Sequence, residues 1–78
     1  MKSQRVQFCE FLKSLANGKL HGDDWDSYAV NHYADNELEL ARVELVRTSH
    51  ELGEWAEVPD ALRAVALEIL GRLQHAGG

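Results

Sequence analysis

Apolar residues recur at intervals of three and four along most of this chain, and no stretch alternates apolar with polar residues. The pattern is clearest near the end of the sequence, in Leu62, Val65, Ala66, Ile69, Leu70 and Leu73. Such intervals place side chains on one face of an α-helix, whereas a half-buried strand requires a period of two. The sequence therefore predicts an all-α fold.

Four periodic segments, each bounded by residues that start or stop helices, predict a compact four-helix domain with short loops. The expected helices cover residues 4–16, 24–33, 36–52 and 59–75. Gly18 is expected to end the first helix, because glycine readily adopts the left-handed conformation that closes a helix. Gly53 is expected to end the third, although the apolar spacing continues to Trp55. Pro59 suits the first turn of the fourth, where its missing N–H is harmless.

Short polar side chains precede the second and third predicted helices. Asp23 or Asp24 is expected to cap the second helix, where a carboxylate accepts hydrogen bonds from unpaired backbone N–H groups. The third helix has two candidate caps. Asn36 has the capping-box spacing to Glu39, and Asp35 is the alternative.

Six aromatic residues are available to anchor these short helices. Trp25 and Tyr28 are one helical turn apart and are expected to pack the second helix against the first and third. Tyr33 and Trp55 fall near loop ends, where greater exposure is expected.

Two further contacts between helices are predicted from single residues. Gly71 lies inside the fourth helix, where glycine costs about 0.8–1 kcal/mol relative to alanine, so we expect it to allow close packing of a neighbouring helix. Arg42 follows a stretch rich in acids. We expect it to pair with Asp26 or Asp35 and to fix the second helix against the third.

A length of 78 residues allows one hydrophobic core, so residues 1–78 are expected to form a single domain. One cysteine, Cys9, excludes an internal disulfide and suits a reducing compartment. Glu10 and Lys13 interrupt the apolar residues near the start, and no run is long enough to span a membrane. We therefore expect a cytoplasmic protein with no membrane contact.

Charge is distributed unevenly along the sequence. Residues 1–19, 20–62 and 63–78 carry net charges of +3, −9 and +1. An acidic middle argues against nucleic-acid binding, which requires clustered Lys and Arg to neutralise phosphates. It is compatible either with a solvated acidic face or with a surface that meets a cationic protein.

Motifs for metal binding and catalysis fail on inspection. Asp24 and Asp26 begin like a calcium-binding loop, but Ala29 stands where that loop needs glycine. His50 and Glu51 begin like a zinc-protease motif that lacks its second histidine. No glycine-rich phosphate loop or nucleophile elbow is present. The sequence predicts no cofactor, no metal and no enzymatic activity.

One resemblance can be named from three short motifs. They are Phe11-Leu12-x-x-Leu15-x-x-Gly18-x-Leu20, Trp25-Asp26-x-Tyr28 and Asp35-x-x-Leu38-Glu39-x-Ala41-Arg42. Residues 11–42 resemble a group of small uncharacterised bacterial proteins with a Phe-Leu helix, a glycine turn, a Trp-Asp/Glu-x-aromatic element and a Leu-Glu-x-x-Arg helix. The resemblance implies a bacterial origin and no particular chemistry.

These features predict a small bacterial protein that acts by binding another protein. The first hypothesis is an inhibitor, antitoxin or immunity-type factor that presents acids to a basic target. Its candidate binding residues are Asp23, Asp24, Asp26, Glu37, Glu51 and Glu54, with Tyr33 and Trp55 as anchors. The second hypothesis is a structural or assembly subunit that homodimerises through the fourth helix or the Trp55 loop. A protein without a ligand is the third.

Overall fold

The computed structural model describes residues 3–20, 24–30 and 32–76, and no strand occurs in them. Three α-helices pack together: α1 (Gln4–Ala16), α2 (Asn36–Leu52) and α3 (Asp60–Ala76). A short π-helical segment, Asp26–Val30, lies between α1 and α2. The prediction of an all-α fold with four helical segments is confirmed. No helix in the described chain is both long enough and apolar enough to cross a bilayer.

Helix α1 is bounded by residues suited to start and to end a helix. The hydroxyl of Ser3 accepts a hydrogen bond of 3.2 Å from the backbone N–H of Val6, which satisfies a donor that the first turn leaves unpaired. At the other end the chain turns at Gly18, whose φ is +74°. Glycine fits this left-handed conformation because it has no Cβ.

Asp35 caps the start of helix α2, which resolves the choice between the two predicted caps. The carboxylate of Asp35 accepts hydrogen bonds from the N–H groups of Glu37 (2.9 Å) and Leu38 (3.3 Å). Asn36 is therefore the first helical residue and not the cap. A carboxylate at this position also complements the positive end of the helix.

Helix α2 stops at Leu52, as predicted, and does not continue to Trp55. Gly53 follows with φ +76° and ψ −149°, a region of backbone conformation that is essentially restricted to glycine. Helix α3 starts at Asp60, directly after Pro59, one residue later than predicted. Proline and glycine thus separate the two helices as the sequence indicates.

The second predicted helix differs from expectation. Instead of an α-helix over residues 24–33, the chain forms an α-helical start at residues 24–25 and then the π-helical segment, and it is not helical from His32 to Asp35. Near the end of the π-helical segment, two side chains donate hydrogen bonds to backbone carbonyl groups. Arg42 Nη1 donates to the carbonyl of Ala29 (3.0 Å), and the hydroxyl of Tyr33 donates to that of Tyr28 (2.9 Å). Because those acceptors are satisfied, the helix need not continue.

The core is a single cluster of side chains from all three helices and the π-helical segment. Its buried apolar members are Phe8, Phe11, Leu12, Leu15, Ala29, Leu38, Ala41, Leu45, Leu62, Ala66, Ile69, Leu70 and Leu73. Trp25 and Tyr28 are half-buried against this cluster, as predicted. The rings of Phe11 and Tyr28 stack with centroids 5.1 Å apart. Aromatic contact thus holds the short π-helical segment on α1.

Helices α1 and α3 form the largest helix–helix contact and run antiparallel. Arg5, in the first turn of α1, donates to the carbonyl of Leu73 near the end of α3 (2.9 Å). Arg63, in the first turn of α3, donates to the carbonyl of Ala16 at the end of α1 (3.2 Å). Each arginine therefore places its positive charge at the negative end of the other helix, which is a favourable arrangement.

Gly71 does not permit the close helix packing that the sequence predicted. It is exposed on the outer face of α3, and a Cβ added there meets nothing within 4 Å. The prediction failed because the small residue lies on the opposite side of the helix from Ala66 and Leu73. A stripe of small residues indicates close packing only when it faces a neighbour.

Candidate protein-binding site

Two tryptophans meet at one end of the molecule. The ring of Trp55 lies edge-on to that of Trp25, with centroids 5.7 Å apart and an interplanar angle of 88°. The indole N–H of Trp55 donates to the hydroxyl of Ser49 (3.2 Å). Trp25 in turn lies 6.3 Å from the ring of Phe11. The loop after α2 is therefore held on the core by its tryptophan, which is half-buried and less exposed than predicted.

Shallow grooves flank Trp55 on both sides. One groove, of about 520 Å³, is lined by Ser49, Gly53, Glu54, Trp55 and Ala56. The other, of about 430 Å³, is lined by Asn17, Gly18, Leu20, Trp55, Ala56, Glu57, Val58 and Arg63. The indole thus forms a ridge between two open depressions. Each depression is large enough to receive a side chain from another protein.

Acidic side chains lie near this ridge, and those of Glu54 and Glu57 line the two grooves. Glu51, Glu54 and Glu57 are exposed, and no basic group of the described chain lies within ion-pair distance of them. Asp24 is half-buried beside Trp25. We name this region the Trp55 end and define it by Asp24, Trp25, Glu51, Glu54, Trp55 and Glu57. It combines negative charge with a large ring.

Two of the predicted binding acids, Asp23 and Asp26, are not among the residues that define the Trp55 end. Asp26 is exposed and follows Trp25 directly in the chain, which places it beside the Trp55 end. Asp23 falls outside the described residues. The predicted acids that the structure does place at this end are therefore Asp24, Glu51 and Glu54, and Glu57 joins them from the same loop.

Glu37 and Tyr33 do not belong to this region. Glu37 lies 14 residues before Glu51 on α2, which at the rise of an α-helix corresponds to about 21 Å. Its carboxylate lies 3.7 Å from the guanidinium of Arg5. Tyr33 packs edge-on against Phe8 with ring centroids 5.2 Å apart, and burial raises the pKa of its hydroxyl. Both residues support the fold instead of the Trp55 end.

Several other acids of the central segment are paired within the molecule. Asp35 lies 3.9 Å from Arg5, and Asp60 lies 3.5 Å from Arg63. Glu44 of α2 accepts a hydrogen bond of 2.7 Å from Arg72 of α3. Internal bases therefore neutralise part of the acidic segment, whereas Glu51, Glu54 and Glu57 have no such base among the described residues.

Arg42 pairs with Glu39. The prediction that its partner is Asp26 or Asp35 is therefore wrong. Its Nε and Nη2 donate to the two carboxylate oxygens of Glu39 at 2.9 and 2.7 Å. The spacing of three residues places Glu39 beside Arg42 on α2, whereas the carboxylate of Asp35 is engaged at the start of the helix. The contact with the carbonyl of Ala29 does join the second helical segment to α2, as expected.

The pairing of Arg42 and Glu39 shifts the pKa of both groups. The hydrogen bond from Arg42 holds the pKa of the Glu39 carboxyl far below its ordinary value, with help from the N–H of Tyr33 and from His32. The same hydrogen bond raises the pKa of Arg42. Both groups are therefore fully charged at neutral pH. The pair serves to hold structure and has no group suited to proton transfer near pH 7.

Glu57 and Ser49 were not predicted from the sequence to belong to this region. Glu57 is the third acid of a segment without Lys or Arg, residues 48–62, and that composition could have identified it. Ser49 gives no such signal, because its role depends on the fold bringing the indole of Trp55 back onto α2. Within the described chain, no three His, Cys, Asp or Glu side chains are grouped so that they could hold a metal ion.

Comparison with known proteins finds no matching family model, no matching curated protein and no matching solved structure. The resemblance of residues 11–42 to small bacterial proteins stays a prediction.

Proposed function

We propose that this protein is a small, non-enzymatic binding module whose Trp55 end docks on a cationic segment of another protein. The observation that carries the proposal is that exposed Glu54 and Glu57 line the two grooves that flank the half-buried ring of Trp55, with exposed Glu51 in the last turn of α2. Tryptophan is enriched among residues that contribute most to binding energy, and surrounding charges orient the encounter.

The position of these acids on α2 supports a role outside folding. Glu51 lies in the last turn of α2, and Glu54 lies two residues beyond its end. The carbonyl end of a helix carries partial negative charge, so an acid there is unfavourable by about 0.3–1 kcal/mol. Glu37, in contrast, lies in the first turn, where an acid is favourable. Acids that oppose the helix dipole and pair with no base of the described residues are suited to meet external positive charge.

The grooves beside Trp55 indicate the kind of partner. Apolar residues, among them Leu20, Ala56 and Val58, line these grooves together with Glu54 and Glu57. A segment with Lys or Arg next to an aliphatic residue would satisfy both features. Basic proteins such as nucleases present segments of this kind, which fits the role of an inhibitor, antitoxin or immunity-type factor. The setting proposed is the bacterial cytoplasm, where the thiol of Cys9 stays reduced.

Tryptophan fluorescence tests the proposal directly. Trp25 and Trp55 are the only two tryptophans in the chain, and both lie at the Trp55 end. A short synthetic peptide in which lysine alternates with leucine is the probe. We expect a saturable change in emission, with an affinity that falls as NaCl is raised, because salt screens exposed charges.

The double variant Glu51→Gln/Glu54→Gln is expected to bind this peptide about 2- to 30-fold more weakly, since exposed ion pairs contribute roughly 0.2–1 kcal/mol each. The matched control is Glu37→Gln/Glu68→Gln, which removes the same charge from other parts of the surface. It should bind like wild type. Equal losses in the two double variants, or no change in emission with wild type, would contradict the proposal.

A further inference from the structure

Of the three α-helices in the described chain, two have an arginine from another helix at their carbonyl end. Arg63 of α3 donates to the carbonyl of Ala16, the last residue of α1, at 3.2 Å. Arg5 of α1 donates to the carbonyl of Leu73, near the end of α3, at 2.9 Å. The last carbonyls of a helix lack partners within it and carry partial negative charge, so a guanidinium there is favourable.

Helix α2 differs from the other two at its end. The backbone N–H of Gly53 donates to the carbonyl of His50 at 3.3 Å. No side chain of the residues that the structure describes donates to a carbonyl of residues 49–52. His50 itself lies in this turn but is exposed. The carbonyl end of α2 can therefore accept a donor from outside the molecule.

One of the two grooves beside Trp55 lies at this end of α2. It is lined by Ser49 of the last turn, by Gly53 just after the helix, and by Glu54, Trp55 and Ala56. We name it the Glu54 groove, because Glu54 is the only ionisable residue among the described residues that line it. A carboxylate, the negative end of a helix and an indole ring each attract a cation.

The second groove beside Trp55 has a different character. It is lined by Glu57 but also by Arg63, so an acid and a base oppose each other there. Leu20 and Val58 line it as well. A cationic side chain is therefore better suited to the first groove, and an aliphatic one to the second.

Arg42 shows how a guanidinium bridges groups of the kinds found at the Glu54 groove. It donates at once to the carboxylate of Glu39 and to the carbonyl of Ala29. The planar guanidinium carries five N–H donors in a fixed fork, and its flat face stacks on aromatic rings, whereas the ammonium of lysine is a compact point charge. A carboxylate, free helix carbonyls and a tryptophan close together thus suit arginine better than lysine.

We propose that the Glu54 groove receives an arginine side chain of the partner, which covers the carbonyl end of α2 as arginines of the chain itself cover the ends of α1 and α3. This arginine site rests on the proposed function, since it is part of the Trp55 end, and it specifies the cationic segment that docks there. The aliphatic neighbour of the arginine then lies in the groove of Leu20 and Val58.

Two peptides of equal length and charge test the arginine site by tryptophan fluorescence. In one, lysine alternates with leucine, and in the other, arginine replaces every lysine. We expect wild type to bind the arginine peptide about 2- to 5-fold more tightly than the lysine peptide. Equal affinities would overturn the arginine site and leave docking on a cationic segment standing. No change in emission with either peptide would contradict both proposals.

Glu54→Gln and Glu57→Gln locate the bound arginine. Each substitution removes one exposed carboxylate from one of the two grooves beside Trp55. Glu54→Gln should lower the preference for the arginine peptide below about 2-fold, because the carboxylate that pairs with the guanidinium fork is gone. Glu57→Gln should weaken both peptides alike and keep the preference of wild type. Circular dichroism should show both variants to be helical. A preference that survives Glu54→Gln, or that falls equally in the two variants, would overturn the proposal.

Discussion

Arg42 is the residue on which the second helical segment depends. It is only 8% exposed, and its guanidinium donates to both oxygens of Glu39 and to the carbonyl of Ala29. A buried charge is costly unless it is paired and hydrogen-bonded, and this one is both. The planar group reaches a carboxylate on its own helix and a carbonyl on a neighbouring element at the same time, a geometry that lysine cannot reproduce.

Replacement of Arg42 tests this role. Arg42→Ala should lower the free energy of unfolding by about 2–3 kcal/mol, because it removes hydrogen bonds to charged groups and leaves a buried carbonyl without its donor. Arg42→Lys should recover little of the loss. Arg47→Ala, an exposed arginine on the same helix, should stay within about 0.5 kcal/mol of wild type in urea denaturation. Wild-type stability of Arg42→Lys would show that charge alone suffices.

Glu39 should make stability depend on pH in a defined direction. Its pKa in the folded state is lowered from an ordinary value of 4.5, so the unfolded chain binds the proton more readily. The stabilisation is then complete above about pH 4.5 and is lost as pH falls towards the lowered pKa. The groups that face Glu39 are the guanidinium of Arg42, Nδ1 of His32 and the N–H of Tyr33.

Urea denaturation of wild type and Glu39→Gln between pH 7 and pH 3 measures this effect. The difference in unfolding free energy between the two proteins should be largest near neutrality and should shrink below about pH 4.5. Glu57→Gln controls for the loss of one surface charge. A difference that stays constant over the whole range would mean that the carboxylate of Glu39 is not the titrating group.

At the scale of elements, the helices whose ends are set locally were predictable. The bounds of α1, α2 and α3 follow from residues within a few positions of each end, such as Gly18, Gly53 and Pro59. The π-helical segment was not predictable, because its form depends on Arg42, 13 residues away, and on aromatic contacts with α1. Its aromatic residues indicated where it packs but not how it is wound.

Substitutions at three glycines can separate the effect of backbone conformation on stability from the effect of side-chain contacts. Gly71 lies within α3 at an exposed position, and a Cβ there meets no other atom. Gly71→Ala should therefore stabilise the protein by about 0.5–1 kcal/mol, since alanine has the higher helix propensity. Gly53 also has open space, but its φ is +76°. Gly53→Ala should destabilise by about 1–3 kcal/mol because of backbone strain alone.

Thermal unfolding of Gly71→Ala and Gly53→Ala checks the predicted signs of the two stability changes. Both substitutions add the same methyl group to a site without neighbours, so opposite shifts in melting temperature can be attributed to backbone conformation. Gly18→Ala is a third case with the same sign as Gly53→Ala, because Gly18 has a φ of +74°. Destabilisation by Gly71→Ala would indicate that the outer face of α3 is covered in solution.

At the scale of the whole molecule, the sequence indicated the kinds of residue in the candidate site but not which acids and rings belong to it. The sequence pointed to Glu51, Glu54 and Trp55, and the fold does bring them to one end. The sequence also suggested Glu37 and Tyr33, which lie away from that end in the folded protein. Position along a helix of 17 residues and pairing with Arg5, a residue from another helix, decide which acids stay open. Neither can be read from the order of charges in the chain.

Acids used for binding and acids used for folding should respond differently to neutralisation. Glu51→Gln should stabilise the protein by about 0.3–1 kcal/mol, since it removes an acid from the negative end of α2. Glu44→Gln breaks the contact with Arg72 across α2 and α3 and should destabilise by about 0.2–1 kcal/mol, a small value because both groups are partly exposed. The two substitutions remove the same charge from the same helix.

Thermal unfolding at low and high salt distinguishes the two cases. The difference between the variants should be largest at low salt and should diminish as salt screens both the helix dipole and the ion pair. Natural sequences accept a cost in stability at sites that are selected for function. A stabilised Glu51→Gln that also loses peptide affinity would link that cost to binding at the Trp55 end. A destabilised Glu51→Gln would instead assign this carboxylate to the fold and remove it from the proposed site.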